Sequence, residues 1–131
     1  MRLLLDTHIW IWSLVEPSRL SSQVRTELED PDNEIWLSPI TTWETLTLVR
    51  KGRLRLAADT DAWLRDAMRR TAAKEANLTH EVSLQTCALD LGHSDPADLF
   101  LAATAVVYGL TLVTADERLL TSRQYATLPN R

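Results

Sequence analysis

Four acidic residues in this chain have the type and spacing needed to bind a divalent cation: Asp6, Glu44, Asp98 and Asp116. If they converge in one cleft, their charges repel one another, and a hard cation with oxygen ligands relieves that repulsion. Mg²⁺ or Mn²⁺ fits such a set, because neither ion requires nitrogen or sulfur donors.

A carboxylate-bound divalent ion can act on a phosphodiester in two ways. It lowers the pKa of a bound water to produce a nucleophile, and it neutralises charge in the transition state. The acids therefore predict a metal-dependent hydrolase, with Asp6, Glu44 and Asp98 as metal ligands and all four residues as catalytic groups.

The order of predicted elements brings these acids to one edge of a sheet. The predicted strands cover residues 2–5, 34–37, 77–79, 110–113 and 126–128. The first predicted helix begins at Thr7, which is expected to cap it. The other predicted helices cover about residues 21–29, 39–51, 61–73, 81–91, 96–108 and 115–120. Strands that alternate with helices predict an α/β three-layer sandwich, with a short, mostly parallel sheet flanked by helices. Ligands in such folds bind beyond the carboxyl ends of the strands, where the four acids are expected.

Three of the acids also have a purely structural interpretation. Asp95 and Asp98 are spaced as a capping box around Pro96, and on sequence alone this reading of Asp98 is as good as the functional one. Thr114 and Glu117 form a second candidate capping box, which leaves Asp116 as a first-turn charge favoured by the helix dipole. Asp6 could be a polar strand end. Glu44 is harder to explain in this way, because it lies in an apolar helical stripe and needs a partner or a cation.

Length and composition limit the class of protein. The 131 residues suit a single domain, residues 1–131, and 14 basic against 18 acidic side chains give a formal charge of −4. A protein that coats nucleic acid is normally basic, so any RNA contact should be local. The single Cys87 suits a reducing cytosol and is expected in the core. With no signal peptide and an uncharged stretch interrupted at Gly109, we expect a cytoplasmic protein without a membrane span.

The segments around the acids resemble one protein family. The segments are LLLDTHIWIW, SPITTWE, HSDPADLFLAATA and LVTADERLL, and they contain Asp6, Glu44, Asp98 and Asp116 in turn. In order and spacing they resemble VapC-type PIN-domain toxins of type II toxin–antitoxin systems over nearly the whole chain. The resemblance implies a PIN fold, metal-dependent endoribonuclease activity on RNA, a homodimer and inhibition by a VapB-type antitoxin. Leu99 is a departure, because family members often have arginine there, a charge partner for Asp98.

Other chemically capable residues receive lesser predictions. The three histidines, His8, His80 and His93, are scattered in sequence, and none is expected to be catalytic. Of the five tryptophans, those not needed for the core should line an apolar groove for a partner helix, and Trp10 and Trp43 are the candidates. The basic residues Arg50, Lys51, Arg53 and Arg55 suit either a helix C-terminus or RNA phosphates.

Two other functions remain open at the level of the sequence. A Rossmann-like phosphohydrolase would use Asp6 as its nucleophile, but His8 stands where such enzymes commonly have a second aspartate. A catalytically silent binding module would use its acids only as helix caps. The chain has no Gly-rich phosphate loop, which argues against P-loop nucleotide hydrolysis.

Overall fold

The computed structural model describes residues 1–57 and 59–131, and its centre is a five-stranded sheet in which every neighbouring pair is parallel. The strands are β1 (Arg2–Leu5), β2 (Glu34–Leu37), β3 (Lys74–Glu75), β4 (Thr111–Thr114) and β5 (Thr127–Pro129). Their order across the sheet is β3-β2-β1-β4-β5. The chain thus leaves β1 towards one side for β2 and later returns to its other side as β4, which makes the carboxyl end of β1 a topological switch point.

Helices cover both faces of this sheet. They are α1 (Thr7–Val15), α2 (Ser22–Glu29), α3 (Pro39–Arg50), α4 (Thr60–Thr71), α5 (His80–Gln85), α6 (Pro96–Tyr108) and α7 (Glu117–Leu120). Side chains alternate along β1, so Leu3 and Leu5 belong to one buried cluster and Leu4 to the other. Both faces of the sheet are therefore buried, and the predicted α/β sandwich is confirmed.

Short polar caps begin the helices that follow the strands. Ser38 accepts a hydrogen bond from the backbone N–H of Ile40, and Pro39 occupies the first position of α3. The Asp95 carboxylate accepts hydrogen bonds from the N–H groups of Ala97 and Asp98 at the start of α6. Because the caps Ser38 and Asp95 fix where α3 and α6 begin, they also fix Glu44 and Asp98, which lie in the first two turns of these helices near the edge of the sheet.

Several local predictions were wrong. The third strand is Lys74–Glu75 rather than residues 77–79, and the helix predicted over 81–91 ends at Gln85 before a 3₁₀ turn over Thr86–Ala88. Asp6, not Thr7, caps α1, since its carboxylate accepts from the Thr7 N–H.

Two predicted environments were also wrong. Cys87 is exposed, in the 3₁₀ turn that follows α5, and not in the core. Trp10 is fully buried among α1, α2 and α4 residues and donates through Nε1 to the Thr71 hydroxyl at 2.9 Å, so it cannot line an open groove. No helix within residues 1–57 and 59–131 is long and apolar enough to cross a membrane.

Candidate active site

A cleft of about 400 Å³ opens beyond the carboxyl ends of β1 and β4, and the four predicted acids line it. Asp6 follows β1 directly, Asp116 follows β4 after one residue, Glu44 comes from α3 and Asp98 from α6. Side chains distant in sequence meet here because parallel strands end at the same edge. Asp95, His8, Trp12, Arg19, Ala115 and Arg118 complete the lining.

Asp6 is buried at the floor of the cleft. Its two carboxylate oxygens accept hydrogen bonds from the Thr7 N–H at 2.8 Å and from the Thr114 hydroxyl at 2.6 Å. The same Thr114 oxygen accepts from the N–H of Asp116 at 3.0 Å, so one hydroxyl connects the segments that follow β1 and β4. Burial raises the pKa of Asp6 despite these hydrogen bonds, and Asp116 adds a smaller repulsive contribution.

Glu44 is half-buried on α3 and accepts a hydrogen bond from the Thr7 hydroxyl. Desolvation raises the pKa of Glu44 to about 6, and repulsion from Asp6 and Asp98 acts in the same direction. Glu44, an acid in an apolar helical stripe, thus has the partner expected for it, and that partner is Thr7.

Asp98 is buried in the first turn of α6 and does not act as its cap. Asp95 is the cap, while the Asp98 carboxylate contacts His93 Nε2 at 2.9 Å and Arg118 Nη2 at 3.5 Å. Desolvation raises the pKa of Asp98, and repulsion from Asp95, Asp6 and Asp116 acts in the same direction. The predicted Asp95–Asp98 capping box is therefore present only in its Asp95 half, since the Asp98 carboxylate contacts His93 and Arg118 instead.

Asp116 differs from the other three acids. It caps α7 by accepting from the N–H of Arg118, so the predicted Thr114–Glu117 box is wrong, and Glu117 instead pairs with Arg131. The Arg118 guanidinium also contacts the Asp116 carboxylate at 2.9 Å. This pairing lowers the pKa of Asp116, so it carries its charge more readily than the three desolvated acids.

Two basic side chains not predicted from the sequence contact Asp98: His93, and Arg118 in the lining of the cleft. His93 Nδ1 lies 3.1 Å from the Leu91 carbonyl and Nε2 lies 2.9 Å from the Asp98 carboxylate. Because both ring nitrogens face acceptors, the doubly protonated ring satisfies both contacts, and the pKa of His93 is raised chiefly by Asp98. Arg118 supplies a cation beside Asp98 that the family resemblance placed at residue 99. His93 is five residues from Asp98 and Arg118 is two residues from Asp116. This closeness in sequence could have identified both as partners of the acids.

The donor set fits a divalent cation in its chemistry. It consists of carboxylate oxygens in a partly desolvated cleft, and the raised pKa values record their mutual repulsion and burial. Asp6 accepts hydrogen bonds through both carboxylate oxygens, and Glu44 and Asp98 each accept through one. Among residues 1–57 and 59–131, no three His, Cys, Asp or Glu side chains are positioned to hold a metal ion as they stand. Coordination would therefore require rotation of side chains that Thr7, His93 and Arg118 hold.

Comparisons with known proteins agree on one family. The sequence profile of the PIN domain matches residues 3–123. Ribonuclease VapC22 of Mycobacterium tuberculosis is 33% identical over 121 residues, which cover 92% of this chain and 91% of that protein.

Solved structures with low sequence identity share the fold. VapBC2 from Rickettsia felis, bound to a DNA fragment from its promoter, has a TM-score of 0.76 at 18% identity and 98% coverage of both chains. DNA-bound VapBC from Salmonella typhimurium has a TM-score of 0.70 at 15% identity, again with 98% coverage of both chains. FitAcB from Neisseria gonorrhoeae has a TM-score of 0.66 at 22% identity and covers 98% of this chain and 97% of that one.

Proposed function

Because this chain belongs to the PIN domain family, we propose that it is a divalent-metal-dependent endoribonuclease and the toxin of a toxin–antitoxin pair. The observation that carries the proposal is the cleft in which Asp6, Glu44, Asp98 and Asp116 meet at the carboxyl ends of β1 and β4. The likeness to Ribonuclease VapC22 supports RNA as the substrate.

Each acid has a distinct role in this proposal. Asp6, Glu44 and Asp98 hold Mg²⁺ or Mn²⁺, since they are the three acids whose raised pKa values favour a cation. Asp116 retains its charge beside Arg118 and acts as the fourth catalytic acid. When bound, the cation supplies water activation and neutralisation of phosphate charge. The chain's own contribution is to hold the acids in the cleft before the cation binds, through the Thr7 and Thr114 hydroxyls and through His93.

The partners follow from the same relatives. We propose a VapB-type antitoxin as the inhibitor, a homodimer as the assembly, and a single domain acting in the cytoplasm. The solved VapBC complexes support the first of these, because those toxin-like chains share this fold.

The direct test is RNA cleavage by the purified chain freed of any antitoxin. Cleavage of single-stranded RNA should require Mg²⁺ or Mn²⁺ and stop in EDTA. Asp6→Asn and Asp98→Asn should each lower the rate by at least about a hundredfold, because electrostatic and metal contributions dominate such steps. Asp61→Asn is the matched control, since Asp61 is exposed on α4 and pairs only with Arg65 among the residues described.

The same assay separates the alternatives. Cleavage that persists in EDTA would contradict metal catalysis. Hydrolysis of a small phosphate ester without RNA cleavage would indicate the phosphohydrolase. If the chain binds RNA with no turnover under any metal, it is a silent binding module.

A further inference from the structure

A second groove continues from the acid cleft along α3. It has a volume of about 370 Å³, and the two cavities share His8, Glu44 and Asp95 in their walls. Its other walls come from the second half of α3, the turn that follows and the start of α6: Trp43, Thr47, Leu48, Lys51, Arg53, Pro96 and Ala97. A ligand bound in the acid cleft that extends past His8, Glu44 and Asp95 therefore enters this groove and stays in contact with the protein.

Trp43 presents an exposed aromatic surface in this groove. Its relative exposure is 53%, and it is the only tryptophan among the large exposed apolar residues in the described part of the chain. Trp43, Thr47 and Lys51 are four residues apart, so they follow one face of α3. Glu44 is the next residue in the helix and points into the acid cleft, so one helix serves both cavities.

Two cations lie at the far end of the groove. α3 ends in a Schellman motif, in which Arg53 N–H donates to the Leu48 carbonyl at 2.9 Å and Gly52 N–H to the Val49 carbonyl at 3.0 Å. Gly52 permits this turn because its φ is +70°. The motif folds Arg53 back against the helix beside Lys51.

These two cations differ from several others on the surface. Arg65 and Arg70 pair with acids of their own helix. Neither Lys51 nor Arg53 has a salt bridge to any residue in 1–57 or 59–131. An exposed aromatic ring with nearby unneutralised cations is the combination that binds single-stranded nucleic acid, through base stacking and phosphate contacts.

We propose that this groove binds a nucleotide flanking the scissile phosphodiester of a single-stranded RNA, with its base stacked on Trp43 and its phosphate held by Lys51 and Arg53. The inference rests on the proposed function and adds the substrate contact that positions RNA. Charge favours RNA over a basic peptide segment here, because Lys51 and Arg53 attract phosphates and would repel a basic segment. Stacking is tolerant of base identity, so the groove contributes affinity more than sequence preference.

The test measures binding of a fluorescein-labelled single-stranded RNA of mixed sequence to the full chain by anisotropy. Cleavage is suppressed by Asp98→Asn in every protein, and Mg²⁺ is present. Trp43→Ala should weaken binding roughly tenfold, whereas Trp43→Phe, which keeps a stacking ring, should stay within about threefold. The Lys51→Ala/Arg53→Ala double variant should reduce the slope of log affinity against log salt by about 0.7, the value for the one phosphate that both side chains contact.

Leu84→Ala and Arg65→Ala are the controls, since both side chains are exposed and neither lines the groove. They should bind RNA as the parent protein does. The Lys51/Arg53 variant and Trp43→Phe keep the test decisive even if Trp43→Ala unfolds.

Three outcomes would overturn the inference. If native chain cleaves RNA while the Trp43 and Lys51/Arg53 variants bind it normally in the Asp98→Asn background and cleave it normally with Asp98 restored, the nuclease stands and the groove is not a subsite. If those variants bind RNA normally but lose affinity for a co-expressed antitoxin, the groove takes a protein. If native chain neither binds nor cleaves RNA, the proposed function fails and the subsite fails with it.

Discussion

Glu44 lies on α3 with an ordinary hydrogen-bond partner, Thr7, and an elevated pKa of about 6. A carboxyl whose folded-state pKa exceeds its unfolded value of 4.5 binds more protons in the folded state between those two pH values. The free energy of unfolding contributed by Glu44 therefore falls as pH rises from about 4.5 to about 6, and it stays low at higher pH. Ionised Glu44 opposes folding at neutral pH unless a cation compensates.

Glu44→Gln should make the metal-free protein more stable at pH 7 by about 1–2 kcal/mol. The amide oxygen can still accept from Thr7, so the variant removes the charge and little else. Urea unfolding in EDTA at pH 5 and pH 7 measures the effect, with native chain losing more stability between the two than the variant. Equal losses would assign the pH dependence to Asp6 or Asp98, whose pKa values are also raised.

The sequence predicts which acids enter the site but not what holds them. Asp6 and Asp98 follow from strand ends and helix starts, which are local features. Arg118 reaches Asp98 across 20 residues, and Thr114 reaches Asp6 across 108. Such contacts depend on side-chain directions after the sheet has formed. Thr7 was predicted to cap α1 for the same reason. A threonine at a helix start is a good local cap, whereas the hydrogen bond that its hydroxyl makes with Glu44, 37 residues away, depends on the folded structure.

α6 and α7 are joined at the cleft by Arg118. Its guanidinium contacts Asp98 of α6 and Asp116 at the cap of α7, although most of its surface is exposed. A positive group in this position neutralises the acids in the absence of metal and repels a cation that approaches them.

Arg118→Gln should bind Mn²⁺ about two- to fivefold more tightly than native chain and melt at a lower temperature in EDTA. Isothermal titration and thermal melts measure the two effects. Arg131→Gln is the matched control, because Arg131 pairs with Glu117, the neighbour of Arg118 on α7, and does not line the cleft. Weaker Mn²⁺ binding would mean that Arg118 orients Asp98 and Asp116 for the metal instead of competing with it.

Elements with strong local signals were predicted closely. β2 has the bounds expected from sequence, and α6 begins at Pro96 and ends at Tyr108 as expected. β3 was misplaced because its two residues, Lys74 and Glu75, are polar and exposed. It exists only through pairing with β2, continued by the Ala76 N–H that donates to the Leu37 carbonyl at 2.8 Å. Tertiary pairing of this kind leaves no local pattern.

Across the whole molecule, the largest fully buried side chain is Trp10. It lies in the cluster that joins α1, α2 and α4 to one face of the sheet, with Leu3, Leu5 and Val24 among its members. Its role is to hold the layers together, and a partner cannot reach it in the folded protein.

Trp10→Ala should lower the free energy of unfolding by about 3–5 kcal/mol, through lost burial and the cavity that remains. Trp43→Ala, on an exposed ring, should cost less than about 1 kcal/mol. Urea unfolding of both variants gives the comparison. A loss below 1 kcal/mol for Trp10→Ala would contradict its place in the core.

β1 occupies the middle of the sheet although it comes first in the chain, and Leu3 pairs with Thr111 on β4. The Asp6 N–H likewise bonds to the Val113 carbonyl at 3.0 Å. Pairing over such a sequence distance is slow, because the loop must close before any contact compensates for the lost entropy. During synthesis on the ribosome, a nascent chain that has not reached β4 has β1 without this neighbour, and it lacks Asp116, which follows β4. The cleft with all four acids can therefore assemble only after β4 and Asp116 have been translated and β4 has paired with β1.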